Sequence, residues 1–342
     1  MSKRKGSDRQ RRRRQELKRE KRQGRGRTQA SESFPRPAKQ PSGATPAPPI
    51  PPMSFASMER TMRELHQALE SQHFESGDDL HAFVEQFNRR GGQPGAPGRM
   101  SPADEAQDIA YQAMEASDAQ TAVKLAMQAV DLDPNCVDAL IILAQAGSRS
   151  PDDLIENMRM AVDVGERALG DDYFEEHRGH FWGLLETRPY MRARQELADL
   201  LREAGRTDEA VEHYEQMLDL NPNDNQGLRD LLLACYLLGR NLAGAERLFQ
   251  QFDGDASATF QWARVLEKHL ADDGDGAVAT LRSARKDNPF VEDYLTGKKR
   301  PPRNLPGYYS PGEESEAQYV AINLRPVWKK HGSAVAWLKA QA

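Results

Sequence analysis

Apolar residues through the middle of the chain recur at helical spacing. Between Gly205 and Gly227, GRTDEAVEHYEQMLDLNPNDNQG, the side chains of Ala210, Val211, Tyr214, Met217 and Leu218 share one face at steps of three and four, the signature of an amphipathic helix. Gly205 stops the helix before it, because glycine takes the positive φ of a helix C-terminus at little cost. Thr207 is the expected N-cap of the helix after it. Asn221-Pro222 ends that helix, and the same ending recurs as DLDPN up to Asn135 and DNP up to Pro289. From Pro222 to Pro289 is 67 residues, and from Pro134 to Pro222 is 88.

Those intervals fit a repeat of about 34 residues made of two helices, with small residues at their crossing and Pro after the second, which is the tetratricopeptide pattern. On that register Leu197, Ala198, Gly205, Ala210, Tyr214 and Met217 are all permitted types. The longer interval holds an insertion of about 20 residues beyond two periods, placed at 170–190, DDYFEEHRGHFWGLLETRPY and its flank. The fold class expected is all-α, a right-handed solenoid of about five helix pairs over 103–289. The first repeat runs from Ala103 to Pro134. The second starts near Val137, with a Ser150-Pro151-Asp152 cap on its second helix. The third and fourth span Met191 to Asp253, and a degenerate fifth lies around Phe260 to Pro289. Helices from Glu313 to His331 and Ser333 to Ala340, within 290–342, are expected to close the stack.

Before the repeats the pattern changes. Met58, Met62, Leu65 and Leu69 make one helical stripe, and Leu80, Phe83, Val84 and Phe87 another, with Ser76 as N-cap. Residues 53–90 are therefore expected as a pair of short helices, followed by a Gly/Pro-rich linker at 91–102. Residues 1–52 combine KRKGSDRQRRRRQELKREKR with PRPAKQPSGATPAPPIPP and are expected to form a disordered arm.

Charge is unevenly spread. Residues 1–30 carry 14 Lys/Arg against 3 Asp/Glu, a net of +11, and the remaining residues carry 33 against 49, a net of −16. A basic arm on an acidic body allows non-specific nucleic-acid contact through phosphates, since no aromatic residues interleave residues 1–30. With 29% charged residues and a mean hydropathy of −0.78, the chain offers no apolar run long enough to span a membrane. The basic N-terminus is not followed by an apolar stretch and does not read as a signal peptide. The two cysteines, Cys136 and Cys235, form no CxxC and read as buried, reduced thiols of a cytoplasmic protein.

Candidate chemistry is sparse. His177 and His180, with Glu175 and Glu176, could share a helix face as metal ligands, but a surface pair is the simpler reading. Asp272, Asp273 and Asp275 lack the later Glu of a calcium loop. There is no phosphate loop and no GxSxG. The chain reads as non-catalytic, without cofactor or metal. In contrast, Arg192 and Asp199 of repeat three, with Gln226, Arg229 and Tyr236 of repeat four, are expected to line the concave groove, and Arg188 and Tyr190, at the end of the insertion just before repeat three, are expected to join them in binding a partner. Tyr, Trp and Arg are the side chains that carry most binding energy at protein interfaces. Phe181, Trp182 and Tyr190 have an alternative role as core between repeats. Arg192 and Arg229 could likewise pair with Glu196, Asp199 or Asp230 on their own helices.

The sequence GHFWGLLETRPYMRAR, then GRTDEAVEHYEQML, LNPNDNQG, NPFVEDYL and GEESEAQYVAINLRPVWKKHGSAVAWL resembles bacterial relatives of the suppressor-of-tumorigenicity-seven family over about Ala106 to Leu338. The resemblance implies a tetratricopeptide protein with no assigned catalytic residues. The family's vertebrate members are membrane proteins, a role that does not carry over to a chain with no spanning segment. The functional expectation is a protein-interaction scaffold holding a partner's extended or acidic segment in the groove. The alternative is an RNA- or ribosome-associated factor anchored by its basic arm.

Overall fold

The computed structural model describes residues 54–70, 74, 76–89 and 100–341. The expected arm at 1–52, and all of the 91–102 linker but its last three residues, lie outside them. Among the described residues every regular element is helical. Helix α1 spans Phe55–Glu70 and α2 spans Gly77–Arg89. The paired helices follow as α3 (Pro102–Met114) with α4 (Ala119–Leu132), α5 (Val137–Gly147) with α6 (Pro151–Leu169), α8 (Arg188–Glu203) with α9 (Thr207–Leu220), α10 (Leu228–Leu238) with α11 (Leu242–Gln251), and α12 (Ala258–Leu270) with α13 (Gly274–Asp287). Between the second and third pairs lie α7 (Asp171–His177) and a 3-10 turn, Phe181–Gly183. A short α14 (Val291–Leu295) leads to α15 (Glu314–Lys330) and α16 (Gly332–Ala340). This is an all-α, right-handed solenoid of helix pairs.

The helix starts follow local chemistry. Ser101, Asp118, Ser150, Asn241, Ser257 and Asp273 each accept a backbone N–H three residues on, satisfying donors that the first helical turn leaves unpaired. Ser76 does the same for α2, accepting from Asp79 N at 3.2 Å. Thr207 differs from expectation. It is the first residue of α9, not its cap, and the cap position is Arg206, whose side chain instead pairs with Glu209 at 2.6 Å. The inserted segment also ends earlier than the sequence suggested. Pro189 suits the first turn of a helix, where its missing N–H costs nothing, so Arg188 to Tyr190 already belong to α8.

Two cores run through the stack. The main one extends from Val137 to Leu338 and is filled by Tyr190, Met191, Leu197, Tyr214, Met217, Phe249, Trp262 and Trp328 among others. The first pair has a separate core, built mainly of alanines, Ala106, Ala110, Ala113, Ala126, Ala129 and Ala139. Alanine lets helices approach closely but removes little apolar area from water, so this end of the solenoid is the less strongly held. At the other end the last of these endings, Asn288-Pro289, is used structurally. Asn288 donates to Glu313 O at 3.1 Å and to Glu316 Oε2 at 2.9 Å, and Glu316 also accepts from Ala258 N. That carboxylate ties α15 to α12 and α13. Cys136 and Cys235 are buried and unbridged, and burial pushes the Cys235 thiol up to about 11.

Candidate functional site

The first helices of the pairs, α3, α5 and α8, line one face of the solenoid, and the polar side chains on that face converge. Asp138 sits in the first turn of α5 and is fully buried. It accepts from Arg192 Nε at 2.9 Å, from Arg192 Nη2, and from Gln107 Nε2 of α3 at 2.7 Å. A guanidinium presents its donors as a planar fork, which suits two-point contact with one carboxylate. The remaining Nη1 of Arg192 donates to Glu59 Oε2 at 2.8 Å. Glu59 belongs to α1, and its other oxygen accepts from Arg188 Nη1 at 3.0 Å. The Tyr111 hydroxyl of α3 donates to Glu59 Oε2 at 3.1 Å. Burial and the two carboxylates push this phenol up to about 12. Burial on its own would lower the pKa of Arg192, but Asp138 and Glu59 raise it, so the guanidinium stays charged.

The network therefore joins α1, α3, α5 and α8 through two cations and two anions. Arg188 is fixed further by its Nε, which donates to Trp182 O at 3.0 Å, and by stacking 5.3 Å from the Trp182 ring. The 3-10 turn of the insertion thus orients one half of the arginine pair. A hollow of about 200 Å³ continues beside it, lined by Met114, Asp138, Ile141, Arg192, Gln195, Glu196 and Asp199.

Further along the face Gln226 donates to Gln195 Oε1 at 2.7 Å, while its own Oε1 finds no partner. Asp199 accepts from the Tyr214 hydroxyl and lies 3.7 Å from Arg202. Arg229 lies between Asp255 at 2.7 Å and Asp224 at 3.3 Å, over the Phe252 ring at 5.2 Å. A larger hollow of about 320 Å³ between α11 and α12 touches this group through Asp255.

Two of the residues expected at the partner site from sequence are buried instead. Tyr190 is 1% exposed and Tyr236 4%, too little surface for a partner to touch. Tyr190 packs edge-on against Phe174 and Phe181 and donates to Glu166. Tyr236 packs over Gly244, where an added Cβ would lie 2.7 Å from its ring, and bonds Glu215. Tyr190 faces α6 and the inserted segment, and Tyr236 faces α9 and α11. Arg188, Arg192, Asp199, Gln226 and Arg229 do lie on the first-helix side, but in separate groups. Neither Arg192 nor Arg229 is a free cation, and the acids that hold them come from other elements more than from their own helices.

The local field around Arg229 is acidic. Asp224, Asp255 and Asp230 surround one guanidinium, and burial, with Asp255 and Asp224 adding, pushes Asp230 up to about 6. The sign of the effect follows. A carboxyl whose folded pKa lies above its ordinary 3.8 contributes stability below that value and loses it as pH rises through about 6. Asp230→Asn should therefore raise the unfolding free energy at pH 7 by up to about 3 kcal/mol, from the worth of two pKa units. The gain should vanish near pH 4. Urea unfolding at the two pH values measures it, and an equal effect at both would show that the gain is not ionisation.

A family model described as tetratricopeptide repeat matches residues 191–234, from the first turn of α8 into α10. The chain contains a tetratricopeptide repeat. No curated protein matches it. The tetratricopeptide match covers the turn at Gly205, with its φ of 77°, and the buried Ala198, Ala210, Tyr214 and Met217. It also includes Arg192, Asp199 and Gln226, though not Arg188. No helix among the described residues is long and apolar enough to cross a membrane.

Glu59, Tyr111 and Gln107 could not be read from the sequence as partners of these arginines. Asp138 alone left a signal, an acid within the apolar run VDALIILA. Glu59 could not be connected, because α1 lies outside the repeat register.

Proposed function

We propose that this tetratricopeptide-repeat chain is a non-catalytic scaffold that holds a segment of another protein against the face made by α3, α5, α8 and α10. One observation carries the reading. That face already receives a helix of the chain itself, through a carboxylate taken wholly out of water between Arg188, Arg192 and Tyr111. Burying an unpaired carboxylate is costly, and three charge-assisted or hydroxyl donors aimed at one point offset that cost. Such an arrangement is a receptor for an acid on a docking segment. The adjoining hollow with Met114 and Ile141 supplies an apolar contact, and Gln195, Gln226 and Asp199 supply polar ones. The acid-binding part of the groove is confined to α3, α5 and α8, since the Arg229 region is itself acidic. We further propose kinship with the bacterial relatives of the suppressor-of-tumorigenicity-seven family, on the sequence likeness over Ala106 to Leu338.

The test is site-specific photo-crosslinking in the native cell. A photoreactive residue at Gln195 should give discrete adducts to particular proteins. The same residue at Met127 on α4 or Met160 on α6, both more than half exposed, should not give those adducts. Identical adduct patterns at the three positions would overturn the groove as the binding face.

A further inference from the structure

Helix α1 is seated by its polar edge. Its buried side chains, among the described residues, are Ala56 and Glu59. Arg60 reaches Asp108 at 2.6 Å and Arg63 reaches Asp104 at 3.0 Å, both on α3. The apolar stripe noted in the sequence is only partly covered: Leu65 and Leu69 are half-buried, while Phe55, Met58 and Met62 keep much of their surface. Phe55 and Met58 are each 48% exposed and Met62 is 44% exposed. A helix that belongs permanently to a core turns its apolar stripe inward. Helix α1 leaves much of its stripe in solvent and is held by four ion pairs, a tyrosine hydroxyl and the edges of Phe55 and Met62 against Arg192 and Arg188. Ion pairs that become solvated on both sides when the helix leaves are exchanged for water at small net cost. Arg192 would still keep Asp138, so the vacated face would not strand an unpaired buried cation.

We propose that α1 is an internal ligand of the groove, displaced when a partner docks, and that the partner presents a helix with the same polar edge. This rests on the groove reading above. The geometry specifies the edge residue by residue. A carboxylate sits where Glu59 does, to meet Arg188, Arg192 and Tyr111. A small residue three places earlier lets the backbone approach, as Ala56 does. Basic residues one and four places later meet Asp108 and Asp104, as Arg60 and Arg63 do. The tethered α1 competes as an intramolecular occupant, at a high effective concentration. A partner overcomes that advantage by extending apolar side chains into the hollow beside Arg192, which stays open with α1 in place.

The competing reading makes α1 a fixed cap over the alanine-built first pair. A labelled peptide of residues 54–70, titrated into the full chain, separates the two. The wild-type chain should bind this probe weakly, because its own α1 is in the way. A Glu59→Ala chain should bind it at least tenfold more tightly, with unchanged helicity and a melting temperature within a few degrees of wild type. Adding Arg188→Glu to the Glu59→Ala chain should abolish probe binding, and a Glu59→Lys probe should restore it. Binding no tighter in the Glu59→Ala chain, indifference to Arg188→Glu, or a large fall in melting temperature would each overturn the proposal. The crosslinks at Gln195 keep the two readings apart. If they persist while the probe fails, the groove binds partners but α1 does not gate it. If they are absent, the groove reading itself falls.

Discussion

Asp138→Ala should lower the unfolding free energy by about 3–5 kcal/mol, the cost of removing one partner from a buried ion pair. Asp138 is fully buried and takes three donors, two from Arg192 and one from Gln107. Without it the fork of Arg192 has one remaining acid, and the Gln107 amide points at nothing. Gln107 is buried and Arg192 only slightly exposed, so water offsets little of the loss. For a folded region of this size the melting temperature should fall by roughly 2–4 °C per kcal/mol. The substitution Glu59→Ala is the informative contrast. It removes an equally buried carboxylate, yet its effect should be small, because α1 can leave and solvent can reach Arg188. A second contrast replaces the pair by apolar residues of similar volume, Asp138→Leu with Arg192→Met. That chain should regain much of the lost stability, since a buried pair contributes little beyond a well-packed apolar substitute. Equal losses for Asp138→Ala and Glu59→Ala would mean that both carboxylates are held alike, and the distinction between a fixed and a displaceable half of the network would be wrong.

The contrast also marks where sequence reasoning reached its limit. Periodicity, Gly205 and the Asn-Pro steps located the helix pairs because those features act within one repeat. Burial of Tyr214 and Met217 followed from the same spacing. The groove depended on pairings across much longer separations, from Glu59 to Arg188 and Arg192. No periodic rule connects α1 to α8. The stripe of Met58, Met62, Leu65 and Leu69 did not tell how α1 would be seated, because ion pairs do much of the holding. Tyr190 and Tyr236 were misplaced for a different reason. Position along the chain does not say which neighbouring helix a ring will pack against: Tyr190 meets Phe174 and Phe181, and Tyr236 meets Gly244. The state of the arginines was not legible, since the acids that hold them come largely from neighbouring helices and loops.

Ala210→Trp should cost about 3 kcal/mol or more, at the upper end of what overpacking a core produces. Ala210 has no exposed surface and lies in the first turn and a half of α9. Ala198 of α8 is equally buried, and the Gly205 turn between the two helices leaves no slack to move them apart. An indole at Ala210 cannot swing into solvent, so α9 must shift as a body. In a solenoid each pair is stabilised by its neighbours, so a shift of α9 also weakens the contact of α9 with α10. The expected result is a lowered urea midpoint with an early loss of helicity spread beyond one pair. Glu212→Trp is the control. Glu212 lies two residues on and is exposed, so the same indole there should change the unfolding free energy by no more than about 0.5 kcal/mol. If the two variants unfold at the same midpoint, Ala210 does not sit at a helix crossing, and the repeat register built on Pro222 is displaced.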